Sequence, residues 1–307
     1  MPGPETSQRG LARVLVVGAG AMGSQIAMVF ALAGHDVILQ DITESGLATA
    51  RNQLEERMDA TVAKGRMTAG TARQALNRLT CTTDLGEAAS SADFVIEAAT
   101  EKLAIKQHIF AELDRLAPPH AILATNSSTL GSSKVAKVTR RPGQVCNVHF
   151  FNPALVMKCV EVVRHPETTQ ATVDTVMELV RTIGKQPVLL SREIPGFVAN
   201  RLMGVLRDEA LSLLDAGIAS TEDIDTAAKT ALGHPMGPFE LMDLVGIDVN
   251  CMIAEATYAE TGNPTDLPHP MIREMYEAGR LGRKSGKGWY DYETPQDDRI
   301  HKTGTTL

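Results

Sequence analysis

From residue 13 onward the chain alternates short, almost wholly apolar runs with longer segments of helix-forming residues. The candidate strands are RVLVVG (13–18), DVILQ (36–40), LTCT (79–82), DFVIEA (93–98), AILAT (121–125), VCNVHF (145–150), CVEVV (159–163) and PVLL (187–190). Runs such as 14–17 and 94–96 show no polar alternation, which is the pattern of strands covered on both faces of a parallel sheet. Helical segments such as 23–33 and 102–116 fall between them. The expected fold is therefore α/β, a Rossmann-type doubly wound sheet built from βαβ units.

Two stretches break the rhythm. Between Asp41 and Leu79 there is room for two helices, about 44–64 and 70–78, punctuated by Lys64 and Gly65. This reads as a helical hairpin inserted at about 44–78 and projecting from the sheet, the alternative being a pair of packed crossover helices. After Leu190 the strand signal stops, EIPG (193–196) supplies Pro-Gly punctuation, and helical patterns run to about Tyr276. The expected organisation is an α/β domain over 11–191 and an all-α domain over 192–292. Tails of 1–10 and 293–307 flank them, the second read as disordered.

Composition narrows the class of partner. The 307 residues carry 37 acidic and 30 basic side chains, a net charge of -7, with 43% hydrophobic content. A mildly acidic chain argues against nonspecific binding to nucleic acid or anionic lipid. Cys81, Cys146, Cys159 and Cys251 are widely spaced with no C-x-x-C pair, so neither a zinc knuckle nor a disulfide framework is expected. Residues 1–10 lack the apolar core of a signal peptide, and no apolar run approaches the ~20 residues that span a bilayer. A soluble, cytoplasmic protein without metal is the expectation.

Gly18-Ala-Gly20-Ala21-Met22-Gly23 follows the first strand directly and opens a helix. Alone the G-x-G-x-x-G pattern is weak, but this position is the one a dinucleotide requires. Gly18 permits the tight turn, Gly20 lets the backbone approach a pyrophosphate, and Gly23 lets helix and strand pack closely. Asp41 ends the second strand, where a carboxylate accepts from ribose hydroxyls and repels a 2′-phosphate; neither Ile42 nor Thr43 reverses that sign. NAD is favoured over NADP. The other reading of Asp41 is a helix cap for the segment beginning near Thr43.

His149 closes a strand just before Phe150-Phe151-Asn152-Pro153. Hydride loss from an alcohol carbon requires proton loss from its oxygen, and histidine titrates near neutral pH. If 145–150 and 159–163 form an antiparallel hairpin with register centred on Leu155, Glu161 faces His149. A carboxylate inside CVEVV is otherwise badly placed; the alternative is that Glu161 points to solvent from a half-exposed strand.

At this point several motifs together resemble the 3-hydroxyacyl-CoA dehydrogenase family, and in particular its short bacterial 3-hydroxybutyryl-CoA dehydrogenase members. They are VVGAGAMGSQIA, ATEKLAIKQHIF, ATNSSTL, HFFNP, EVV, PGFVANRL, HPMGPFELMDLVGID and GRKSGKGWYDY, spanning about 12 to 292. The resemblance implies an NAD-binding first domain and a substrate and dimerisation second domain, with a cleft between them, and a place in fatty acid metabolism. It makes His149 the base and Glu161 its partner. Ser128 and Asn200 hold the substrate oxygen, and Ser128 also approaches the nicotinamide. Asn126 and Asn152 lie near the cofactor. Glu101 and Lys106 line its CoA side, and Lys64 meets the CoA phosphates. Where family members carry a small hydroxyl residue before Lys64, this chain has Arg57, so the CoA grip is expected to differ in detail. Each has a plainer alternative: Asn126 and Ser128 as caps of the next helix, Asn200 as a surface residue, Lys64 and Lys106 as solvated charges. Residues 233–238 read as a turn and helix start, and the basic loop of Arg280, Arg283, Lys284 and Lys287 as a structural clasp or subunit contact.

The implied reaction is NAD-dependent oxidation of a short (S)-3-hydroxyacyl-CoA to the 3-oxoacyl-CoA, or its reverse, in a homodimer. Related gulonate or carnitine 3-dehydrogenases are the enzymatic alternative. A structural protein that merely retains NAD is the non-enzymatic one.

Overall fold

The computed structural model describes residues 13–292, so the expectations for the tails at 1–10 and 293–307 lie outside the described residues. The chain divides into two compact units, the first ending at Val198 and the second beginning at Ala199.

The first unit holds eight strands: β1 (Arg13–Val17), β2 (Asp36–Gln40), β3 (Leu79–Thr82), β4 (Phe94–Glu97), β5 (Ile122–Thr125), β6 (Val145–Phe150), β7 (Cys159–Val163) and β8 (Gln186–Leu190). They form one sheet in the order β3-β2-β1-β4-β5-β6-β7-β8. Pairings are parallel except β6 with β7. The helices are α1 (Ala21–Leu32), α2 (Glu44–Ala63), α3 (Ala69–Asn77), α4 (Leu85–Ala89), α5 (Leu103–Leu116), α6 (Ser133–Ala136) and α7 (Gln170–Thr182).

Why both faces are covered is visible in the alternation along each strand. Val14 and Val16 of β1 join one core cluster with Ile26 and Phe30 of α1, whereas Leu15 and Val17 join another with Phe110 and Leu113 of α5. Phe94 and Ile96 against Val95 repeat the division one strand over. Side chains two apart share a face, so a four-residue apolar run supplies two cores at once.

The hairpin of α2 and α3 differs in part from the expectation. Thr43 and Thr68 cap the two helices, and Gly65, at φ +66°, turns the chain between them. Leu47, Ala50, Leu54 and Met58 form a stripe that enters the same core as α1, with Ala72 and Ala75 from α3. Most of the insertion is thus packed rather than projecting, because its apolar stripe needs cover. Only residues 63–66, at the turn, form a free tip.

The second unit comprises α8 (Ala199–Asp215), α9 (Thr221–Ala231), α10 (Pro238–Val245), α11 (Ile247–Thr261) and α12 (Pro270–Glu277). Its core gathers Ala210, Leu211, Ile224, Phe239, Met242, Ile247, Cys251, Ile272 and Met275. Pro238 occupies the first turn of α10, where its missing N–H is harmless. Two buried carboxylates tie this unit together. Asp225 accepts from Phe239 N and Glu240 N and from the Tyr290 hydroxyl. Asp243 accepts from Trp289 N, Tyr290 N and the Tyr292 hydroxyl. The basic glycine-rich segment is folded down by these contacts: Lys284 pairs with Asp248, and Gly282 and Gly288 lie so close to Asp243 that neither has room for a Cβ.

Candidate active site

The strand order reverses between β1 and β4, leaving a crevice beyond their carboxyl ends, which is the ligand position of doubly wound sheets. The glycine turn lies there. Gly18 has φ +102°, and a Cβ on it would fall 2.8 Å from Ala98 O. A Cβ on Gly23 would fall 1.8 Å from Gly18 O, while Gly20 faces open space. Gly20 is also the N-cap of α1 and offers no side chain to the first-turn amides. An unshielded helix N-terminus with room before it fits a pyrophosphate. Asp41 follows β2 and sends Oδ2 to Ala19 N at 2.7 Å and Oδ1 to Thr43 N at 3.2 Å. Thr43, not Asp41, caps α2.

Next to the turn is a cavity of about 210 Å³ lined by Met22, Ala98, Ala99, Glu101, Lys106, Asn126, Ser127 and Ser128. Five of these eight were expected from the sequence. Asn126 carries the cavity wall to β6, because its Oδ1 accepts from Phe150 N at 2.8 Å, one residue from His149. Neither Asn126 nor Ser128 caps α6, whose N-cap is Ser132.

His149 and Glu161 face each other in the β6–β7 ladder. Nδ1 of His149 lies 2.9 Å from Glu161 Oε2, and both side chains are buried. The imidazole stands edge-on to Phe151, with Phe197 on another side. Glu161 Oε1 accepts from Val198 N at 2.9 Å. Such a carboxylate fixes the ring's orientation and tautomer.

The remaining expected residues are not among these contacts. Lys64 is the exposed C-cap of α2 at the hairpin tip. Arg57 is exposed two turns earlier, its guanidinium 3.3 Å from Gln25 Oε1 on α1. Asn152 sits exposed in the loop after β6, and Asn200 is in the first turn of α8, in the second unit. Lys106 needs correction as a CoA ligand. It is 1% exposed, and its ammonium lies 2.8 and 2.9 Å from the Glu97 oxygens and 3.1 Å from Glu101 Oε2. Three N–H donors are thereby committed to carboxylates, which leaves none for a phosphate.

Three residues of the site escaped the sequence reading. Glu97 holds Lys106. Ser127 donates to Glu101 and accepts from Leu130 N. Asn147 accepts from Ser132 N and donates to Ser127 O and Leu130 O, holding the loop from below. A signal existed for two of them: Glu97 interrupts an apolar strand, and Asn147 shares a face with His149 two residues on. Burial pushes the Glu101 carboxyl up, but Ser127, Lys106 and Thr129 outweigh it, and its pKa falls below the ordinary glutamate value. Among the described residues no group of three or more His, Cys, Asp or Glu could hold a metal ion.

A glycine turn on a doubly wound sheet, with an acid just after β2, defines a nicotinamide-dependent oxidoreductase. The family model of the 3-hydroxyacyl-CoA dehydrogenase NAD-binding domain matches residues 13–194, and that of the C-terminal domain matches 196–292. The 3-hydroxybutyryl-CoA dehydrogenase of Clostridioides difficile is 40% identical, covering 91% of this chain and 99% of that protein. The protein of that name from Mycobacterium tuberculosis is 43% identical, covering 91% and 98%. The crystal structure of (S)-3-hydroxybutyryl-CoA dehydrogenase PaaH1 from Ralstonia eutropha superposes with TM-score 0.84 at 35% identity, covering 93% of this chain and 100% of that one. The chain belongs to the 3-hydroxyacyl-CoA dehydrogenase family, and its cofactor is NAD.

Proposed function

We propose that the protein interconverts a short (S)-3-hydroxyacyl-CoA and the corresponding 3-oxoacyl-CoA, with His149 moving the proton. The observation that carries this reading is the buried His149–Glu161 pair, 2.9 Å apart, one residue from the strand position that Asn126 stitches to the cavity. Gly18, Gly20, Ala21, Met22 and Gly23 would hold the dinucleotide's phosphates, Asp41 its ribose, and Glu101, Asn126, Ser128 and Asn152 the nicotinamide end. NAD, when bound, supplies hydride acceptance and donation at the substrate's C3.

In the oxidative direction His149 Nε2 takes the 3-hydroxyl proton, since Nδ1 is engaged by Glu161. The carboxylate stabilises the resulting imidazolium. Ser128 and Asn200 are assigned to the substrate oxygen, Asn200 by its place in PGFVANR. Lys64 and Arg57 are assigned to the CoA phosphates. Their spacing of seven residues puts them on one face of α2, about 10 Å apart along the axis. Pairing of two chains through the helical unit and a cytoplasmic location belong to the same reading. The four cysteines are unpaired, in keeping with a reducing compartment.

The test is reduction of acetoacetyl-CoA followed by NADH absorbance, with gulonate and carnitine as competing substrates in the oxidative direction. His149→Gln should lower kcat by roughly 10²–10⁴-fold while NADH still binds. Equal rates in parent and variant would remove His149 from the mechanism, and turnover of gulonate or carnitine without acetoacetyl-CoA would remove the thioester.

A further inference from the structure

Beneath the cavity lies a chain of charged side chains that the proton-transfer chemistry does not use. Glu97 ends β4 and is wholly buried, where a carboxylate must be paired to be tolerated. Its Oε1 accepts from Ala99 N at 2.7 Å and Lys106 Nζ at 2.8 Å. Its Oε2 accepts from Lys106 Nζ at 2.9 Å and Thr125 Oγ1 at 2.7 Å. Lys106 passes the contact to Glu101 Oε2 at 3.1 Å. The other oxygen of Glu101 accepts from Thr129 Oγ1 at 2.8 Å and from Ser127 Oγ. Ser128 stands between those two donors. The contacts therefore run in one line from the end of β4, through a buried ammonium, to both neighbours of the serine. Stability gives little reason for such a line, because packed apolar residues of the same volume often serve as well or better.

We propose that Glu97 is a positioning residue that, through Lys106, fixes Glu101 and so sets where the 127–129 turn presents Ser128. It touches neither substrate nor cofactor itself. The inference rests on the reading above, in which Ser128 holds the substrate oxygen. A small displacement of that serine penalises the transition state more than the bound thioester, most of whose contacts lie elsewhere.

Glu97→Gln keeps the shape and removes the charge. Its kcat for acetoacetyl-CoA reduction should fall on the order of ten- to a hundredfold, with the thioester KM changed much less. In a Glu101→Gln background the same substitution should add less than about twofold, because the route is already cut. Glu97→Gln leaves Lys106 short of a counter-charge, so Glu97→Gln/Lys106→Met, which removes both charges, is measured beside it. That paired variant should keep the fold by thermal melting and still show the kcat loss. NADH affinity, read from nicotinamide fluorescence, samples the same cavity without turnover, and the Glu97 substitution should weaken it only where Glu101 is intact. Parental kcat and NADH affinity in the paired variant, or losses from Glu97→Gln and Glu101→Gln that multiply, overturn the proposal. A parent that ignores acetoacetyl-CoA, yet whose NADH affinity follows the pattern described, would sink the substrate reading and leave the positioning role standing.

Discussion

Asp41 places one carboxylate oxygen on the Ala19 amide and the other on Thr43, so the acid meant for a ribose also braces the glycine turn beside it. Asp41→Ala should therefore act twice: NAD binds more weakly, and the barrier to NADPH falls because no anion opposes a 2′-phosphate. The check is KM for each cofactor, with a tenfold or greater narrowing of their ratio expected, about 1.4 kcal/mol. Asp114 illustrates a different use of charge. Burial raises its carboxyl pKa, but Arg140 and Arg141 outweigh that, and the net displacement is downward from 3.8. A folded-state pKa below the unfolded one means stabilisation present above about pH 4 and lost as pH falls through the folded value. Asp114→Asn should melt lower than the parent at pH 7, by about 2–4 °C. The two curves should converge as pH falls through the lowered folded-state value. Single residues were legible where a strand's alternation constrained them: the sum of 149 and 161 about Leu155 put Glu161 opposite His149. The CoA role of Lys106 was taken from the family resemblance, which does not say whether a carboxylate such as Glu97 waits beneath the lysine.

The contact between β1 and α1 depends on two glycines meeting. Gly23→Ala would set a methyl 1.8 Å from Gly18 O, backbone against helix, with no flexible side chain to yield. The start of α1 must then move off the turn. NADH affinity should fall at least tenfold and the thermal midpoint with it, both measurable on the purified variant. Elements as a class were largely readable. All eight strands occur at the expected runs, within a residue or two at their ends, because apolar β-rich stretches bounded by Gly, Asp and Asn leave little choice. The hairpin's existence was readable for the same reason. Its packing was not: Leu47, Ala50, Leu54 and Met58 announce an apolar face, but the surface of α1 that covers it is created only by the tertiary fold.

At the scale of the molecule, the helical unit leaves large apolar side chains in view. Leu202 and Val205 of α8 are 68% and 70% exposed, and Met252 and Ile253 of α11 are 60% and 53% exposed. Apolar groups in such number are the usual mark of a surface that meets another chain. Under the proposed pairing of two chains, the parent should sediment as a dimer and the paired variant Leu202→Glu/Val205→Glu as a monomer. No helix among the described residues is long and apolar enough to cross a membrane. The two buried carboxylates of this unit were invisible beforehand, since Asp225 and Asp243 look like ordinary charges on helix surfaces until residues 289–292 fold onto them. That dependence has a temporal side. Asp243 is 1% exposed, and its three donors come from Trp289, Tyr290 and Tyr292. During synthesis on the ribosome, α10 emerges more than forty residues before any of those donors exists. The first unit can complete its sheet as it leaves the exit tunnel, but the second must wait for its own final segment. A nascent polypeptide halted before Trp289 would carry a stranded charge into its interior, a substrate for quality-control proteases rather than a shorter enzyme.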